Sequence, residues 1–275
     1  HHNWTALPDA IGGMTAMKTL LVNDGPLTTL EGMEGLTKLS TVNLNFNHLE
    51  HVPDALGALH VTRLELAFNR LRGLPLSVWD NPYLKWADIS SNDISKIEPG
   101  IRIAKTLKRL FLANNSLGTF PQQITQLTSL WYLSLGGNNI AMIPSGIRNL
   151  NRLEILLLHN NRRIREVPRE IGSCVNLKLL DIRNNNITFL PRELEGLERL
   201  LYIYMENNPI CENGWMSAGS NNVFVDSMES RAGSNSGCSK QCSLYCQSFA
   251  QTINDRCLKE CNSKACKYQN GACLT

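Results

Sequence analysis

The chain has 275 residues, 43% of them hydrophobic and 19% charged, with a formal net charge of +3. This composition excludes a disordered chain, and so small a charge argues against binding nucleic acid or an anionic membrane by long-range electrostatics. No apolar run approaches the roughly 20 residues that span a bilayer, so a membrane segment is expected only outside this chain.

The first residues, His1-His2-Asn3-Trp4, carry no signal-peptide pattern. Either a signal has been removed or the chain begins inside a longer protein. Trp4, Leu7, Pro8 and Ile11 read as the second half of a repeat unit, so residues 1–16 are expected to be a partial N-terminal repeat or cap. From Met17 the pattern LxxLxLxxNxL recurs nine times, with copies starting at Met17, Leu39, Val61, Leu84, Leu107, Leu130, Leu153, Leu177 and Leu200. Their spacing stays between 22 and 24 residues. A second pattern, LPxxIxxL, lies between copies, as in FPQQI at Phe120, IPSGI at Ile143, VPREI at Val167 and LPREL at Leu190. Alternate residues of LxLxx face opposite sides of a short strand. One unit cannot bury its inward leucines alone, so the units must stack into a solenoid with a parallel sheet.

On these motifs, residues 4–210 resemble the leucine-rich repeat family. The resemblance implies an α/β solenoid, a horseshoe with a concave parallel sheet built from nine repeats over residues 17–210. The Asn column (Asn47, Asn69, Asn92, Asn115, Asn138, Asn161, Asn185, Asn208) is expected to bond backbone groups freed where each strand ends. Gly25 breaks that column, which predicts a looser first repeat. Cys174 falls in a convex-side leucine column and is expected to be an inert core thiol.

Function must then lie on residues that the repeat does not dictate. Two outward columns run along the strands, and their middle and late members are large and apolar. The candidate ligand-binding residues are Arg63, Glu65, Trp86, Asp88, Arg109, Phe111, Trp131, Tyr132, Ile155, Leu157, Leu179, Tyr202 and Tyr204. Exposed together, such side chains mark a contact surface, while the flanking charges orient a partner. Self-association into a homodimer, or packing on a missing segment, is the competing reading. The seventh repeat carries an extra residue and a basic bulge, Arg162, Arg163 and Arg165, read as a solvated loop. Sequons at Asn3, Asn114 and Asn186 are glycosylation candidates.

After the last repeat comes Asn208-Pro209-Ile210-Cys211, which resembles the start of an extracellular leucine-rich-repeat cap. Residues 211–237, rich in Gly, Ser and Asn, read as cap or linker. Nine cysteines are present, and eight of them (Cys211, Cys238, Cys242, Cys246, Cys257, Cys261, Cys266 and Cys273) lie in the tail. That density reads as a disulfide framework from an oxidising compartment; zinc is disfavoured because the tail has no His. The spacing from Cys242 to Cys273 resembles the Lin-12/Notch repeat, so residues 238–275 are expected to form a small disulfide-rich module. The resemblance implies Cys242–Cys266, Cys246–Cys261 and Cys257–Cys273, leaving Cys211 to pair with Cys238; Cys238 can also take the place of Cys242. The segment Gln269-Asn270-Gly271-Ala272 lacks the acidic pair with which that family holds calcium, so weak calcium binding or none is expected.

No catalytic constellation, nucleotide-binding loop or metal motif is found, and neither enzyme activity, cofactor nor metal is expected. The reading is an extracellular recognition module, a cell-surface receptor ectodomain whose protein or peptide ligand sits on the concave face. A secreted structural, adhesive or inhibitor protein is the alternative, and an intracellular scaffold a lesser one.

Overall fold

The structure is a computed structural model that describes residues 2–212, with side chains described through Ile210. Nine three-residue strands form one parallel sheet in strictly sequential order. They are β1 (Thr19–Leu21), β2 (Thr41–Asn43), β3 (Arg63–Glu65), β4 (Trp86–Asp88), β5 (Arg109–Phe111), β6 (Tyr132–Ser134), β7 (Ile155–Leu157), β8 (Leu179–Asp181) and β9 (Tyr202–Tyr204). The register pairs equivalent residues of successive repeats, from Thr19 with Thr41 through to Leu179 with Tyr202. The middle residue of each strand points inward and is buried, from Leu20 at 5% exposure to Ile203 at 9%. These side chains join one continuous core from Leu7 to Ile210. The fold is therefore a leucine-rich repeat solenoid.

The side opposite the sheet is made of single short turns, mostly 3-10, packed one on the next. Proline stands immediately before six of them, at Pro8, Pro75, Pro121, Pro144, Pro168 and Pro191, with φ between −75° and −61°. It pre-sets the turn, and its missing N–H has no acceptor to satisfy there. Its carbonyl closes the turn, as Pro144 does by accepting from the Ile147 N–H at 3.0 Å.

The Asn column works as a ladder. Asn92 Nδ2 donates to the carbonyls of Ile89 and Ser90 in its own repeat and of Leu66 one repeat back, and its Oδ1 accepts from the Leu71 N–H at 2.9 Å. Strands of three residues leave backbone groups unpaired at their ends, and one amide satisfies four of them. Gly25 contributes nothing to the ladder, yet Asn47 reaches back to the Val22 carbonyl at 2.7 Å and β1 keeps its register. The extra residue of the seventh repeat is absorbed locally: Asn185 Oδ1 accepts from the Asn161 N–H itself, and Ile164 N–H turns back to the Asn161 carbonyl at 2.9 Å. Arg162, Arg163 and Arg165 are exposed there.

Cys174 is fully buried, and its Sγ lies 3.4 Å from the Ile147 carbonyl. Burial pushes its thiol up to about 12. No helix of the described residues is long and apolar enough to cross a membrane. The eight tail cysteines' side chains and the module expected over 238–275 lie outside the described residues.

Candidate functional site

Strands in a parallel sheet lie about 4.8 Å apart, so equivalent outward side chains of neighbouring repeats meet face to face. Over β3 to β6 this stacks cations on aromatic rings. The Arg63 guanidinium carbon lies 4.1 Å from the centre of Trp86. Arg109 covers Trp86 from its other neighbour at 4.5 Å and also lies 4.0 Å from Trp131. The rings continue diagonally, Trp86 to Phe111 at 5.2 Å and Phe111 to Tyr132 at 4.5 Å. Such contacts contribute about 0.5–1.5 kcal/mol each and hold the side chains in fixed rotamers. Trp86 Nε1 is buried and has no acceptor among the described residues.

The charges on this face differ in how they are satisfied. Glu65 is ion-paired with Arg63 and accepts from Asn43 Nδ2 at 2.9 Å and Asn45 Nδ2 at 3.3 Å. Asp88 accepts from the Ser90 N–H at 3.0 Å and forms no ion pair among the described residues. Burial pushes its carboxyl above the usual range; hydrogen bonds from Ser90 oppose this, and the nearby Glu65 adds to it. Arg109 is depressed, first by burial and then by the charge of Arg63. Burial drives the Tyr132 hydroxyl up to about 12, so it stays a hydrogen-bond donor at any physiological pH.

Toward the C-terminal repeats the face changes. Ile155 and Leu157 are half-buried, but Leu179 and Tyr204, expected to be exposed, are each only 3% exposed. Leu179 is flanked in register by Ile155 and Tyr202. Tyr204 lies parallel to Tyr202 at 6.3 Å, with the Arg183 guanidinium 5.3 Å away. Asp181, at 3% exposure, is held by Arg183 Nε at 2.9 Å and Nη2 at 2.7 Å, with His159 Nδ1 3.1 Å away. Burial works against its ionised form, but the bonds to Arg183 and His159 outweigh it and the carboxyl falls below its usual value.

The structure thus brings Arg63, Glu65, Trp86, Asp88, Arg109, Phe111, Trp131 and Tyr132 into one cluster, and sets Ile155, Leu157, Leu179, Tyr202 and Tyr204 on the same sheet further on. Sequence reasoning missed His159 and Arg183, which lie beyond the strand ends, two residues past the second outward column. It also missed Phe46 and Phe68. The residue before each ladder position has left-handed backbone, φ 53–59° at Asp24, Phe46, Phe68, Ser91, Asn114, Asn160, Asn184 and Asn207, and 67° at Gly137. Asn, Asp, Ser and Gly tolerate that region; a bulky aromatic does not. Phe46 and Phe68 nonetheless stand there, each 49% exposed, their rings stacked at 4.3 Å. Two phenylalanines in a column otherwise small and polar were the available signal. Gly137 shares the left-handed φ of this column, and a Cβ there would meet the Asn114 side-chain oxygen. The three sequon asparagines, Asn3, Asn114 and Asn186, are all exposed.

Repeats of this length, each with a strand and most with an asparagine rung and a proline-led turn, build a leucine-rich repeat solenoid, and residues 82–140 and 151–210 match the Leucine rich repeat family model. No curated protein sequence matches the chain. Among solved structures, a leucine-rich repeat protein of Leptospira interrogans is similar at 29% identity and TM-score 0.70, covering 75% of this chain and 53% of that one. The plant peptide hormone receptor RGFR1, in complex with RGF2, is similar at 30% identity and TM-score 0.64, covering 74% of this chain and 34% of the receptor. Internalin C2 of Listeria monocytogenes is similar at 25% identity and TM-score 0.64, covering 72% of this chain and 84% of that one. This chain spans about half the length of the Leptospira protein and about a third of the plant receptor.

Proposed function

We propose that this protein is an extracellular recognition module that binds a protein or peptide ligand on the outward face of its sheet, as a receptor ectodomain does. The observation that carries this is the fixed array of Arg63, Trp86, Arg109, Trp131, Phe111 and Tyr132 over adjacent strands. Aromatic and arginine side chains held in set rotamers lose little entropy on binding and dominate interface energetics. None of them belongs to the core that folds the solenoid, so the fold itself does not account for them. Similarity to a peptide hormone receptor solved with its partner supports a peptide or protein as the ligand class. The cysteine-dense tail and the exposed sequons at Asn3, Asn114 and Asn186 support an extracellular setting.

The test compares capture of extracellular proteins and peptides by the native chain and by a Phe111→Ala, Tyr132→Ala double variant whose thermal unfolding remains cooperative. A partner retained by the native chain and lost by the variant is the expected result. Partners retained equally by both would place recognition elsewhere and overturn the reading.

A further inference from the structure

Arg109 is a cation without an acid among the described residues. Other arginines of the sheet face have theirs: Arg63 pairs with Glu65, and Arg183 with Asp181. No carboxylate among the described residues lies within ion-pair distance of Arg109, and no hydrogen-bond acceptor among them meets its guanidinium. Asp88, the acid on the neighbouring strand, is bound by the Ser90 N–H instead. Two exposed lysines, Lys85 and Lys108, precede β4 and β5 and also form no ion pair among the described residues. On this stretch of the face, then, no acid among the described residues pairs with Arg109, Lys85 or Lys108.

The geometry around Arg109 defines what compensates it. Trp86 and Trp131 lie 4.5 and 4.0 Å from the guanidinium carbon, so ring contact takes up its flat surface. Its N–H groups point along the plane, where they match the two coplanar oxygens of a carboxylate. Its register partner on β6, Tyr132, supplies an O–H that stays protonated. The site lies on β5, the middle strand of nine, and the outward face continues on both sides. A segment crossing Arg109 therefore has surface to cover in either direction, which favours a side chain over a chain end.

We propose that Arg109 anchors an acidic side chain, Asp or Glu, of an extended peptide segment lying across β4 to β6. This rests on the reading of the sheet face as a peptide or protein recognition surface and specifies the chemistry of its central contact. The test is selection of a random peptide library fused to its carrier at the C-terminus, beside a second library with free C-termini. The native chain is expected to enrich fused peptides with Asp or Glu at one position, flanked by apolar residues. Replacing that acid by its amide is expected to weaken binding about tenfold, the size of one charge-assisted bond. In Arg109→Gln the acid and amide forms should bind alike, whereas Arg109→Lys should restore part of the difference. Thermal melts of both variants confirm that they remain folded. Enriched peptides with no acid, or an acid-to-amide loss as large in Arg109→Gln as in the native chain, would overturn the proposal while leaving peptide recognition standing. Enrichment confined to the free C-terminal library would overturn the side-chain form. No enrichment from either library would overturn this proposal and the peptide form of the recognition reading, leaving a folded protein ligand to the capture experiment.

Discussion

Asp88 and Asp181 occupy the same position of their repeats, the last residue of β4 and of β8, and both are largely removed from water. Their surroundings give them opposite electrostatics. Asp181 has a bidentate arginine and a histidine, and its carboxyl falls below the usual 3.8. A depressed folded value means stability that is present above the usual value and lost as pH falls through the folded one. Asp88 has a backbone N–H and a neighbouring acid, and its carboxyl rises. Its ionised form therefore costs stability at neutral pH, and that cost is relieved as pH falls through the raised value. Asp181→Asn is expected to destabilise by about 2 kcal/mol, because it removes the charge that Arg183 and His159 meet and leaves Arg183 with the more distant Glu206 carboxylate at 4.0 Å. Asp88→Asn is expected to raise the thermal midpoint at pH 7 by a few degrees, since an amide still accepts from Ser90. Melting curves at pH 7 and pH 4 check both, and the gain from Asp88→Asn should shrink at the lower pH. Cys174 gives a third residue-scale outcome. A thiol pushed up to about 12 and fully buried should resist maleimide at pH 8 until the chain unfolds. Rapid labelling of the native protein would contradict the described packing.

Most repeats combine a strand, an asparagine rung and a short turn. Asn115 holds the carbonyls of Ile89, Leu112 and Ala113 and the N–H of Ile94. Asn115→Ala leaves these buried groups without partners and should cost about 2–3 kcal/mol, read as a shift in denaturant midpoint at constant slope. The column just before the rungs behaves in the opposite way. Left-handed backbone costs a non-glycine residue about 1–2 kcal/mol, less for Asn, which is what four of these positions hold. Replacing both Phe46 and Phe68 by Asn removes a stack of about 1 kcal/mol and relieves two strained positions. The double variant is therefore expected to melt no lower than the native chain. A clear drop in midpoint would show that the pair stabilises the solenoid rather than serving a contact at its rim. Strain of this kind, held where the surrounding ladder is rigid, is characteristic of functional surfaces.

Over the whole molecule, stability is a sum of neighbour-to-neighbour contacts, because each strand touches only the strands before and after it. The eight tail cysteines belong to the same scale, since their proposed framework would mark an oxidising compartment. Mass spectrometry after alkylation of native and of unfolded protein is expected to find one free thiol, Cys174, and eight bonded cysteines. Several free thiols outside Cys174 would point instead to an intracellular setting. The sequence by itself determined the repeat length, the strand register, the buried leucines and the asparagine rungs. All of these follow from a period that any stacked unit must obey, and the register pairs found are the columns that the spacing predicts. The tertiary structure alone decided which outward residues stay accessible, because Leu179 and Tyr204 are each only 3% exposed. It alone decided which charges are satisfied, since His159 and Arg183 reach Asp181 across and along repeats while Arg109 reaches no acid among the described residues. Sequence spacing fixes where a side chain starts; the size, charge and backbone twist of its neighbours fix where it ends.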